Sequence, residues 1–184
     1  MKPTLYFILL FSPILLFGAN IKQRMFDLYE NERYEDVCNL GFHNFGRYIK
    51  DEDFLSLYAF GCLKSDFIDR LSLPISLLKY SREARANSAY FSVILMQKKL
   101  LYHALVDNYP LQKYKVPTTD YILSKIFDYY VALGEHTPRN FYLFNDKNNK
   151  KLSYKLYLVK DEEPYKMVIE EYYDDALVKK HTYW

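Results

Sequence analysis

Glycine is scarce in this chain, five residues in 184, and none of them cluster. A phosphate-cradling loop needs closely spaced glycines, so the nucleotide-binding fingerprints are excluded. Cysteine is limited to Cys38 and Cys62, whose spacing is not the Cys-x-x-Cys of a redox pair. The histidines His43, His103, His136 and His181 are dispersed, and no two stand four apart as zinc ligands on one helix face do. Each is expected to be structural or on the surface. Neither charge sign dominates: the net charge is +2, and Lys98–Lys99, Lys150–Lys151 and Lys179–Lys180 are pairs, not clusters. Without a basic face or stripe there is no footprint for nucleic acid. No apolar run reaches the roughly 20 residues that a spanning helix requires.

The apolar run that does exist is informative. Lys2 is followed by apolar sequence from Leu5 to Phe17, interrupted by Ser12 and Pro13, and then by the small pair Gly18 and Ala19. This is the layout of a secretory signal peptide over 1–19, with cleavage expected after Ala19. An uncleaved leader is the only membrane attachment this layout allows for. No cysteine follows the run closely, so lipid attachment is not expected. The address implied is periplasmic or secreted.

Half of the residues are hydrophobic and 18% are aromatic, enough burial to offset the ordering entropy that a disordered chain cannot. In the first part of the body the apolar residues recur at three and four. Met25, Leu28 and Tyr29 form one face, and Tyr34, Val37, Cys38, Gly41 and Phe42 form the next, with a tight polar link at 31–33. That predicts an antiparallel helical hairpin. A second hairpin is expected, with Asp51 as an N-cap, a helix through Phe54, Tyr58, Ala59, Cys62 and Leu63, and a further run over 66–80. Pro74 either kinks that run or sits in the first turn of a shorter helix capped from Ser72. Ser81 caps a helix over 82–107 with a wide apolar surface that includes Ala86, Tyr90, Phe91, Ile94 and Leu100, which implies neighbours on more than one side. Thr119 and Asp120 are expected to cap a last helix, and Gly134 to stop it.

After Pro138 the period changes. Segments 140–145, 152–159, 165–173 and 177–184 are rich in Tyr, Leu, Val and Phe, and turn-like links at 146–149, 161–164 and 174–175 separate them. The expectation is α+β: antiparallel helical hairpins over 20–134 followed by an antiparallel meander of about four strands over 139–184, one face on the helices and the other wet.

The run Leu28-Tyr29-Glu30-Asn31-Glu32-Arg33-Tyr34-Glu35-Asp36-Val37 resembles the tetratricopeptide repeat, in which a Leu-Tyr helix end and a polar turn precede a Tyr-x-x-small step and the next unit begins about 34 residues later. Ala59 matches the small residue of a second unit. Val37 and Leu71 stand where alanine is usual, and the closing prolines are absent. The resemblance extends over 21–133 and implies a concave helical surface for peptides or partner proteins, without catalysis.

In an exported chain, Cys38 and Cys62 read as a disulfide in preference to two buried thiols, because the helices that carry them are expected to be neighbours. Ser76 and Lys79 match Ser-x-x-Lys, but the companion motifs of penicillin-recognising enzymes are missing. Glu162, Glu163, Glu170 and Glu171 are expected as edge or solvent-face charge. The tyrosines Tyr109, Tyr114, Tyr121, Tyr129, Tyr130 and Tyr142 are the candidate interaction surface; packing of the last helix on the meander is the competing reading. No catalytic, cofactor-binding or metal-ligating residue is assigned. The function expected is a non-catalytic scaffold for protein interaction or envelope assembly, with a protein or peptide partner in the cell envelope and no cofactor. A cell-envelope hydrolase with an unrecognised site, or a small-molecule or lipid carrier, is the alternative.

Overall fold

A computed structural model describes residues 21–184. The expected leader and its cut after Ala19 lie outside the described residues. Helices α1 (Ile21–Glu30) and α2 (Tyr34–Asn44) form the first hairpin. Their link is closed by Arg33 N–H on Leu28 O at 2.9 Å and by Glu32 N–H on Tyr29 O at 3.0 Å, with Glu32 in the left-handed region. After a 3-10 turn at Phe45–Arg47, Asp51 caps α3 (Glu52–Lys64) by accepting from Phe54 N–H at 3.1 Å. Lys22 reaches the same carboxylate at 2.8 Å, tying α1 to the start of α3.

Helices α2 and α3 approach closely because each contributes a glycine. A Cβ at Gly41 would stand 2.4 Å from Tyr58 Cδ2, and one at Gly61 would stand 2.6 Å from Val37 Cγ1. Beside this contact Cys38 and Cys62 are joined in a disulfide, with Cα atoms 4.6 Å apart. Phe54, Leu55, Tyr58, Ala59, Cys62 and Leu63 are all buried, so α3 is the centre of the N-terminal core.

The run over 66–80 is not one helix. It breaks into a 3-10 turn (Ile68–Leu71) and the short α4 (Ser72–Leu77). Asp66 is left-handed, at φ 66°, and Pro74 lies in the first turn of α4, where its missing N–H leaves no helical bond unmade. Ser72 does not cap; it is the first helical residue, and its hydroxyl donates to Asp69 O.

Helix α5 (Arg82–Asp107) starts at the Ser81 cap, which accepts from Ala84 N–H, and ends at left-handed Asn108. It packs on α3, α4 and the later α6 and β2, so neighbours on several sides are present. Its fully buried stripe runs through Ala84, Phe91, Ile94, Gln97, Lys98, Leu101 and Ala104, whereas Ala86, expected on the apolar surface, is exposed. The last helix, α6 (Ile122–Val131), carries no side-chain cap. Thr119 Oγ1 accepts instead from Tyr121 N–H, before the helix begins, and Asp120 is drawn to the Tyr90 hydroxyl of α5 at 2.8 Å. Gly134, at φ 67°, stands just beyond the end of α6.

Strands β1 (Phe141–Asn145), β2 (Leu152–Val159), β3 (Lys166–Tyr173) and β4 (Ala176–Tyr183) form an antiparallel sheet in the order β1-β2-β3-β4. Tyr142, Phe144, Tyr154, Leu156, Met167, Ile169, His181 and Tyr183 share the buried face. Tyr129 of α6 meets Phe144 and Tyr154, and Tyr130 meets Tyr142 edge-on, so aromatic rings fasten α6 to the sheet. The fold is α+β, helices followed by an antiparallel meander.

Candidate functional site

The seam between helices and sheet holds a cluster of polar side chains. The link after α3 places Asp66 against β4. His181 Nδ1 stands 2.8 and 3.0 Å from the two Asp66 carboxylate oxygens, and Nε2 stands 2.9 Å from Glu171 Oε1 on β3. Both ring nitrogens face acceptors, an arrangement that favours the imidazolium, whose two protons would both be engaged. His181 is 1% exposed. Burial alone would push its pKa down; the bonds to Asp66 and Glu171 outweigh this and raise it above the ordinary value. In turn the bond from His181 holds the Glu171 carboxyl below its ordinary range, against burial.

Two tyrosines complete the cluster. The Tyr121 hydroxyl lies 2.8 Å from Asp66 Oδ1, 3.1 Å from Leu63 O and 3.3 Å from the Tyr183 hydroxyl. Burial first, and then charged or hydroxyl neighbours, push both phenols well above their usual pKa, so they stay protonated. A cleft of about 310 Å³ adjoins the cluster, lined in part by Tyr90, Asp120, Tyr121, Glu171, Lys179 and His181. A general base needs a free lone pair within reach of a substrate proton. The protonated His181 ring has none, because the proton on each nitrogen is committed to a carboxylate. The cluster is therefore built as an ionic fastening.

Two further ionic ties cross the chain. Lys98 of α5, almost wholly buried, bonds Asp69 at 3.0 Å and the Trp184 main-chain oxygen; burial pushes its pKa down despite Asp69. Lys125 of α6 meets Asp146 at 2.9 Å, and Asp146 also accepts from Tyr154 and from the N–H groups of Asn148 and Asn149. The bond from Lys125 is the largest cause of the depressed Asp146 pKa.

The candidate interaction tyrosines are dispersed over several environments. Tyr109 and Tyr114, in the segment between α5 and α6, are each 38% exposed, with hydroxyls 3.0 Å apart. Tyr121 is in the seam cluster, Tyr129 is half-buried against the sheet, and Tyr130 and Tyr142 are buried. Tyr109 and Tyr130 line a cleft of about 230 Å³ with Leu111 and His136. The Ser76 hydroxyl donates to Leu73 O, and Lys79 Nζ lies over the Tyr80 ring, so each of that pair is turned to its own neighbour.

Glu171 is not solvent-face charge. Strand phase places it with Met167 and Ile169 on the helix side, and the same alternation puts His181 between Lys179 and Tyr183 on that side. Glu170, on the other face, is itself mostly covered, accepting from the Tyr157 and Tyr172 hydroxyls at 2.7 Å each. Alternation was the available signal for both. The pairing with Asp66, 115 positions before His181, left none. Among the described residues no group of histidine, cysteine and carboxylates is arranged to hold a metal ion, and no helix is long and apolar enough to cross a membrane. Set against protein-family models, curated proteins and solved structures, the chain matches none of them.

Proposed function

We propose that this chain is an exported, non-catalytic scaffold for protein interaction or envelope assembly, working in the periplasm or outside the cell after loss of its leader. The observation that carries the reading is the pair Tyr109 and Tyr114, exposed and hydroxyl to hydroxyl, with Tyr109 lining a cleft. Tyrosine offers rigid apolar area with a polar tip and is favoured where proteins meet. The Cys38–Cys62 bond supports the compartment, since disulfides persist in oxidising surroundings. The helical hairpins support an arrangement of the tetratricopeptide kind, with a protein or peptide as the partner.

Site-specific photocrosslinking in the native envelope tests it. A crosslinker at Tyr109 or Tyr114 is expected to capture one reproducible protein that a crosslinker at Glu30 does not, and Tyr109→Ala with Tyr114→Ala should abolish the capture by a neighbouring probe. A chain that forms no position-dependent adduct overturns the reading.

A further inference from the structure

A second cleft, of about 470 Å³, lies between the C-terminal end of α5 and the first two strands. Its wall contains two cations, Arg139 before β1 and Lys160 after β2, and no carboxylate. The amides Asn108 and Asn140 flank them, and Leu105 and Leu158 supply apolar wall. Six cations, Lys22, Arg33, Lys98, Lys99, Lys125 and Lys151, each sit within 3.0 Å of an acid. Arg139 and Lys160 have no such ion pair among the described residues; each has only an aromatic ring near its charge, Tyr142 at 5.9 Å and Tyr165 at 6.0 Å.

We propose that this cleft binds a small organic oxyanion, a carboxylate or phosphate ester carrying an apolar group. The planar guanidinium of Arg139 presents parallel N–H donors that match two oxygens of such a group, and Lys160 adds a mobile point charge. Leu105 and Leu158 cover the apolar body, and the amides satisfy remaining oxygens. The volume falls in the range of small-molecule sites, roughly 300–1,000 Å³. The C-terminal end of α5, closing at Asn108, brings partial negative charge to the same cleft. Both cations are therefore required before an anion is favoured there. The site is independent of the tyrosine pair and of the scaffold reading.

The test uses three probes on the folded chain, with backbone NMR shifts as the readout: 3-phenylpropionate, phenyl phosphate and the cation phenethylamine. Expected is saturable binding of at least one of the two anions, with shifts centred on Leu105, Arg139 and Leu158, weakened by salt, and no binding of the amine. The anion that binds more tightly distinguishes carboxylate from phosphate as the natural group. Arg139→Gln and Lys160→Gln should each weaken it about tenfold. Arg139→Lys, which keeps the charge without the fork, should fall between. The proposal is overturned if neither anion binds up to about 10 mM, if the amine binds as well as the anions, or if the glutamine variants, with native-like spectra, retain full affinity.

Discussion

Asp66 and His181 are 115 positions apart in sequence and 2.8 Å apart in space, so the link that leaves α3 is tied to the last strand of the sheet. Glu171 holds the opposite nitrogen of the same ring at 2.9 Å. One imidazolium thus joins a helical link to two strands, in a seam where an unpaired charge would be strongly destabilising.

Stability should depend on pH through this fastening. The His181 pKa is raised above 6.5, so its contribution is fully present below 6.5 and is lost as pH rises through the folded value. The Glu171 pKa is lowered below 4.5, so its contribution is present above 4.5 and is lost as pH falls through the folded value. Both contributions are complete between pH 4.5 and 6.5. Urea unfolding followed across that range should show maximal stability inside it and a decline on the alkaline side. His181→Ala should cost about 2–4 kcal/mol by leaving both carboxylates without their cation and should remove the alkaline decline.

Gly41→Ala and Gly61→Ala should each destabilise the fold by about 1–3 kcal/mol, although alanine is the better helix former by about 1 kcal/mol. The added methyl would meet Tyr58 at one position and Val37 at the other, both in the core and without room to yield. Thermal unfolding of the two variants checks the sign, which intrinsic propensity alone gives the other way.

Reduction of the Cys38–Cys62 bond, or its replacement by two alanines, should remove about 3 kcal/mol on the chain-entropy account. The closed loop spans a separation of 24 residues. Because the Cys38 and Cys62 side chains are fully buried, reductant should act slowly on the folded protein and faster in mild denaturant. The time course of thiol appearance by mass spectrometry measures this.

Glu52 collects the main-chain N–H groups of Lys79, Tyr80 and Ser81 at 2.7, 2.6 and 2.8 Å, fixing the entry to α5. Those bonds, that from Tyr80 foremost, lower its pKa to about 2. The stabilisation is present above 4.5 and is lost as pH falls through about 2. Glu52→Gln should therefore unfold at a lower temperature near neutrality, and its deficit should shrink in strong acid; circular dichroism melts at the two pH values test both.

Much of the fold was legible because its signals are local. The Asp51 and Ser81 caps, the 31–33 link and the strand spans followed from residue type and period, and the structure places the elements there with ends shifted by a residue or so. The failures were also local rules, overruled by distant partners. Asp120 was expected to cap α6, yet Tyr90 on α5 takes its carboxylate. The run over 66–80 broke at left-handed Asp66, whose side chain is held by Tyr121 and His181 from outside that segment.

The α+β order and the meander were set by hydrophobic period and turn residues, which act over a few positions, whereas for the two cysteines the sequence favoured a bond over free thiols and the structure made it. Only the tertiary structure decided which charges are buried together. Glu171 became a seam residue instead of surface charge, and Arg139 and Lys160 were left facing a cleft without an acid, since both outcomes depend on chain segments that meet across the seam and share no pattern along the sequence.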